Sequence, residues 1–188
     1  MGVLGPDAMT IATTSTISDV LEEIRHRPAA SAGFTTALVG AAAAALGQAV
    51  VGISGGPNER LGEIVLGLKA LADDDANALQ KLLDLRAQGR EPEGWEALQI
   101  GPVAIADLAC EGAERLQAFR PQVIDHVHDD LEFAVVLLAA AARSAMLIVE
   151  SNLRQWRSAE LHAKFGPEVE RLAVRITALT PLEHIAWR

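Results

Sequence analysis

Apolar residues recur along this chain at intervals of three and four, and Gly and Pro punctuate the runs between them, so the pattern is helical throughout. Thr16 and Asp19 have capping-box spacing ahead of a stripe of Val20, Leu21 and Ile24. That predicts a first helix over residues 18–26, halted before Pro28. A second is expected over residues 31–53, closed by Gly55-Gly56-Pro57. A third is expected over residues 58–85, on the stripe Leu61, Ile64, Val65, Leu68, Leu71, Leu79, Leu82 and Leu83, which Asp73-Asp74-Asp75 interrupts. Residues 87–94 read as a polar loop, with two Gly and a Pro. Pro102 suits the first turn of a fourth helix over residues 102–119. The fifth and longest spans residues 129–156. A sixth starts near Ser158, restarts at Gly166-Pro167 and ends before Pro181.

The second and fifth helices stand out because they lack a polar face. The second carries Gly40, Gly47 and a succession of alanines on nearly every side, which marks a central helix. Residues 37–53 and 133–149 are also about the minimum length to cross a bilayer. Gln48 in the first run, Arg143 and Ser144 in the second, and flanks without basic clusters or aromatic belts favour helices packed within a bundle over membrane spans. No hairpin signal and no repeat period are visible. The expected architecture is all-α, a multihelical up-and-down bundle around two long central Ala-rich helices. Residues 1–16 form a disordered or loosely packed tail, and residues 17–188 form one domain.

Composition narrows the picture further. The 188 residues are half hydrophobic but only 4% aromatic, with no Tyr, so Ala, Leu, Val and Ile fill the core and helix axes can approach closely. A net charge of -9 supplies no basic face for phosphates and argues against a nucleic-acid partner. Together with the single cysteine, Cys110, which sits in an apolar stretch and reads as core filler, it suits a cytoplasmic protein. The N-terminus has no signal-peptide pattern.

Three segments together resemble a known family. Residues 28–41, Pro-Ala-Ala-Ser-Ala-Gly-Phe-Thr-Thr-Ala-Leu-Val-Gly-Ala, open the second helix. Asp74-Asp75-Ala76-Asn77-Ala78-Leu79 follows in the third. Asp130, then residues 139–147 and Asn152-Leu153, occupy the fifth. In this order and spacing, over residues 17–178, they look like the formiminotransferase-cyclodeaminase C-terminal domain family, which includes methenyltetrahydrofolate cyclohydrolases and formiminotetrahydrofolate cyclodeaminases. The resemblance implies a helical homodimer that binds a folate or pterin. It also implies either hydrolysis of methenyltetrahydrofolate or loss of ammonia from formiminotetrahydrofolate, with no metal and no further cofactor. Where the family has a Gly-rich loop, only Gly33 remains, among Ser31, Ala32 and Phe34, and Phe34 is expected to obstruct ligand approach. A Lys-rich segment is replaced by Pro57-Asn58-Glu59-Arg60, and a Ser-Asp-x-Gly segment by Asp129-Asp130-Leu131-Glu132.

Carried over residue by residue, the resemblance makes Asp75 the acid/base, with its pKa raised by the neighbouring Asp73 and Asp74. Asp130 and His126 are placed beside it, and Ser31, Gly33, Thr35, Arg60 and Arg143 become ligand contacts. Each has a plainer reading. The Asp triplet could be a solvated turn, Asp130 a helix-dipole charge, and Arg143 one half of a buried ion pair. His126 and His128, two apart among acids, could ligate a metal only in an extended segment. Trp95, Trp156 and Trp187 read as packing residues. Three functions therefore stand: a folate- or pterin-directed enzyme, a non-catalytic dimeric binding or assembly module that has kept the fold and lost the folate site, and a metal-binding bundle.

Overall fold

Helix-forming Ala, Leu and Glu dominate each segment between the Gly and Pro breaks, and the segments fold as that composition dictates. A computed structural model of the chain describes residues 13–26 and 31–183. Six α-helices follow in order: α1 (Ile17–His26), α2 (Ala32–Ile53), α3 (Glu59–Ala87), α4 (Glu91–Phe119), α5 (His128–Gln155) and α6 (Ala159–Ala178). There is no strand among the described residues, and the expected all-α bundle is the fold observed. Helices α2 to α5 run up and down in a ring. Each packs on the next, α5 closes against α2, and α2 also meets α4 across the middle. Side-chain size sets that diagonal approach, since a Cβ at Gly47 of α2 would run into Leu116 of α4, and between the neighbours α4 and α5 a Cβ at Gly112 would press on Leu138. Helix α6 lies outside, against α4 and α5.

Three expected boundaries move. The loop foreseen over residues 87–94 shrinks to residues 88–90, where Gly89 takes φ +74° and reverses the chain. Pro92 then sits in the first turn of α4, and Pro102 falls inside that helix instead of at its start. A proline there removes the N–H that would bond the carbonyl of Leu98. The Asn152 amide, from α5, donates to that carbonyl at 3.3 Å and replaces the lost partner. Helix α6 likewise runs unbroken through Pro167, on an exposed side where water can take the freed carbonyl of Ala163.

The far end of the ring is fastened by Arg120 and Glu132. Glu132 is 2% exposed and receives two hydrogen bonds from the Arg120 guanidinium, at 2.6 and 2.8 Å. Arg120 also donates to the Thr180 carbonyl and so ties the segment after α6 to the α4–α5 corner. Cys110 is fully buried, and burial pushes its thiol up to about 11, as suits core filler. Of the expected N-terminal tail, residues 1–12 lie outside the described residues. Thr13 is held by Asp73, which accepts from its backbone N–H at 2.8 Å and its hydroxyl at 3.1 Å.

Helices α2 and α5 do not carry apolar residues only inward. On α2, Val39, Ala42, Ala45, Ala49 and Ile53 are exposed. On α5, Phe133, Val136, Leu137, Ala140 and Leu147 form a matching stripe, with Phe133 48% and Leu147 57% exposed. Both helices are long and apolar enough to cross a membrane by length and composition, and both pack one side into the ring. Arg143 lies on the exposed stripe of α5. The expected buried ion pair is absent: its side chain is outside the core and has no salt bridge among the described residues.

Candidate active site

An α-helix leaves its first N–H groups without partners, and a side chain from the residue before the helix normally takes one of them. Ser31 occupies that position ahead of α2 and is buried, but it makes no side-chain cap. The service comes instead from α3: Asp75 Oδ2 accepts the Phe34 N–H at 2.8 Å. This contact explains Gly33, where any Cβ would overlap the Asp75 carboxylate. The close approach expected of a ligand at Gly33 is thus made by the protein's own acid.

The Asp triplet divides by helix geometry. Asp73 holds Thr13, Asp74 is exposed, and Asp75 faces inward onto a cavity. Burial raises the Asp75 carboxyl from 3.8 to about 6, opposed by the Phe34 hydrogen bond. Crowding by Asp73 and Asp74, the cause expected from sequence, does not drive this rise; desolvation does.

The cavity, of about 260 Å³, lies between α3, α4 and α5 beside the start of α2. Leu79 and Leu82 come from α3, Trp95 and Pro102 from α4, and Ile148 and Asn152 from α5. Trp95 is stacked on Trp156 with ring centroids 5.1 Å apart and planes 24° apart, and its indole N–H donates to Glu91 at 3.4 Å. The tryptophans therefore pack on one another, as expected, and one of them also forms a cavity wall. Trp187 lies outside the described residues. Phe34 does not obstruct the site, because its ring is wholly buried in the core and lines neither this cavity nor the next. An adjoining cavity of about 320 Å³ shares Ala32 and Ile148 and adds Ser31, Thr35, Ser144 and Leu147.

Ser31, Gly33, Thr35 and Asp75 are thus brought together, whereas the other candidates are not. Asp130 opens α5, and the cavity residue Ile148 stands 18 positions further along the same helix, about 27 Å at 1.5 Å per residue. His126 is exposed in a 3₁₀ turn just before α5, at that same far end. Arg60 lies 15 positions before Asp75 on α3, about 22 Å away, locked to Glu111 by two hydrogen bonds and to Glu63 by a third. Among the described residues, no three His, Cys, Asp or Glu side chains gather in a way that could hold a metal. Sequence reasoning gave no site role to Trp95, Leu79 or Asn152. The one available signal was an Asn in α5 at the right height to meet a helix-interior proline, visible only once α4 is known to extend through Pro102.

An up-and-down helical bundle with one half-buried carboxylate on a small apolar cavity is the class of protein these features define. The fold is similar to the crystal structure of formiminotetrahydrofolate cyclodeaminase from Thermotoga maritima, with a TM-score of 0.80 and 18% identity, over 88% of this chain and 92% of that one. At that identity the likeness speaks for the fold. No family model and no curated protein matches the chain.

Proposed function

We propose that the chain is a cyclohydrolase- or cyclodeaminase-like enzyme acting on a one-carbon derivative of tetrahydrofolate or a related pterin, with Asp75 as its acid/base. The observation that carries this reading is a carboxyl group raised to about 6, with one oxygen held by the start of α2, on the wall of a cavity. Such a group exchanges protons near neutrality, as general acid–base work requires. In methenyl hydrolysis, ionised Asp75 takes a proton from water as its oxygen bonds to the amidinium carbon. The protonated carboxyl then returns that proton to the nitrogen whose C–N bond opens, and the added hydroxyl releases its remaining proton to solvent as it becomes the formyl carbonyl. In formimino deamination the neighbouring folate nitrogen bonds to the formimino carbon, the same group protonates the former imine nitrogen, and the C–N bond to that nitrogen breaks to release ammonia. Ser31 and Thr35 flank the adjoining cavity as ligand contacts. The fold shared with a cyclodeaminase supports the choice of reaction.

The reading includes a homodimer and a cytoplasmic location. The uncovered apolar stripes of α2 and α5 support pairing through that face, since water-exposed apolar area of this extent is ordinarily covered. A second reading, a dimeric assembly module without turnover, shares that pairing and differs only in lacking the reaction. Loss of methenyl absorbance and release of ammonia from the two tetrahydrofolate substrates decide between them. Turnover that falls by about 100-fold or more in Asp75→Asn is expected. Absence of turnover on both substrates, or an Asp75→Asn variant as fast as the wild type, refutes the enzyme. Sedimentation equilibrium of Leu137→Glu tests the pairing, and a wild-type chain that sediments as a monomer overturns it.

A further inference from the structure

We propose that a third cavity, at the opposite end of the bundle from Asp75, binds a compact apolar monocarboxylate through Arg115. It measures about 210 Å³ and lies where the end of α2, the start of α3 and the end of α4 meet. Val51 on its wall stands 19 positions after Ala32 on α2, about 28 Å along that helix, so this cavity is separate from the two beside the start of α2. Val51, Pro57, Leu61 and Phe119 give it apolar walls, and Arg60 and Arg115 bring two guanidinium groups to its lining.

The two arginines are not equally engaged. Arg60 donates from Nε and Nη2 to Glu111 and from Nη1 to Glu63. Arg115 donates only from Nε, to Glu111 Oε1 at 2.8 Å, and its Nη1 and Nη2 have no partner among the described residues. Those two groups form a planar fork that matches both oxygens of a carboxylate. The bond to Glu111 restrains the fork beside the cavity, so a ligand loses less in ordering it. Charge and size narrow the ligand. Bonds from Arg60 and then Arg115 hold the Glu111 carboxyl down at about 2, so Glu111 is ionised and offsets part of the positive charge. A single negative charge is therefore matched, whereas a dianionic phosphate would meet Glu111 as a like charge. The volume lies below the roughly 300–1,000 Å³ of ordinary small-molecule sites, so the apolar body of the ligand is small.

Isothermal titration of the full chain with benzoate, its neutral isostere benzamide and phenyl phosphate tests this. Benzoate binding about fivefold or more tighter than benzamide is expected, with phenyl phosphate no tighter than benzoate. A smaller preference for benzoate, or tighter binding of phenyl phosphate, overturns the proposal. In Arg115→Gln the preference over benzamide should fall to within about twofold, and a preference that survives there places the site elsewhere and overturns it. Arg154→Gln, on α5 at the Asp75 end, should leave the preference unchanged, and its loss there overturns the proposal as well. Arg115 and Arg154 are both exposed, so both variants keep the fold. The readout is binding alone, so it stands or falls independently of turnover at Asp75.

Discussion

Replacing Asp75 by Asn should make the protein more stable at neutral pH, by an amount that disappears in acid. The folded state holds the Asp75 carboxyl at about 6, against 3.8 when freely hydrated. Between those values the native state binds a proton that the unfolded chain has released, so the Asp75 contribution to stability declines as pH rises. It is fully present below 3.8 and lost as pH passes through about 6. At about 1.4 kcal/mol per pH unit, the ionised carboxylate costs on the order of 3 kcal/mol at pH 7 relative to its protonated form. Asn carries no charge, and its amide oxygen can still accept the Phe34 N–H, at a loss of about 1 kcal/mol because that acceptor is neutral. The net gain expected for Asp75→Asn is therefore about 2 kcal/mol at pH 7, shrinking to zero or reversing near pH 4. Urea unfolding of both proteins at intervals from pH 4 to pH 8 measures it. A stability difference that does not change with pH, or one that grows as pH falls, refutes the assignment of a buried carboxylate with a raised pKa. A gain in stability with loss of turnover would mark Asp75 as a residue kept at a stability cost for chemistry.

Three further outcomes follow from particular contacts. Gly33→Ala should cost about 1–3 kcal/mol in denaturant unfolding, because the added methyl must displace the Asp75 carboxylate from the start of α2. Arg120→Ala strands the buried Glu132 carboxylate and should cost about 3–5 kcal/mol, seen as a lowered Tm, whereas exposed Arg25→Ala should change stability by less than about 1 kcal/mol. Asn152→Ala should cost about 1–3 kcal/mol in the wild type, and distinctly less in a Pro102→Ala background, where the substituted residue returns a backbone N–H to the Leu98 carbonyl. A double-mutant cycle reads that coupling, and additive effects would show that Asn152 does not replace the missing bond.

The order and number of the helices, and the prominence of the two alanine-rich ones, were legible along the chain because 3.6-residue periodicity and Gly/Pro breaks are local properties. The two glycines and proline of residues 87–94 misled for a reason that is not local. Pro92 is welcome in a first turn, and Pro102 is tolerated mid-helix only because Asn152, fifty residues later, supplies the missing donor. Residues 31–35 and Asp75 were likewise picked out by resemblance, but their relation was not. Asp75 does not stand across an open Gly-rich loop. It caps α2 itself, and the surviving glycine makes room for it.

Sequence alone determined that the chain is helical, acidic and rich in small core residues, and that one Asp beside others was worth singling out. Tertiary structure alone decided which Asp points inward, that its carboxyl is raised by burial and not by its neighbours, and that Asp130, His126 and Arg60 stand at the opposite end of the bundle. The physical reason is that helix propensity and periodicity act over a few residues. Desolvation, capping between helices and distance along antiparallel rods arise only when segments far apart in the chain are brought side by side.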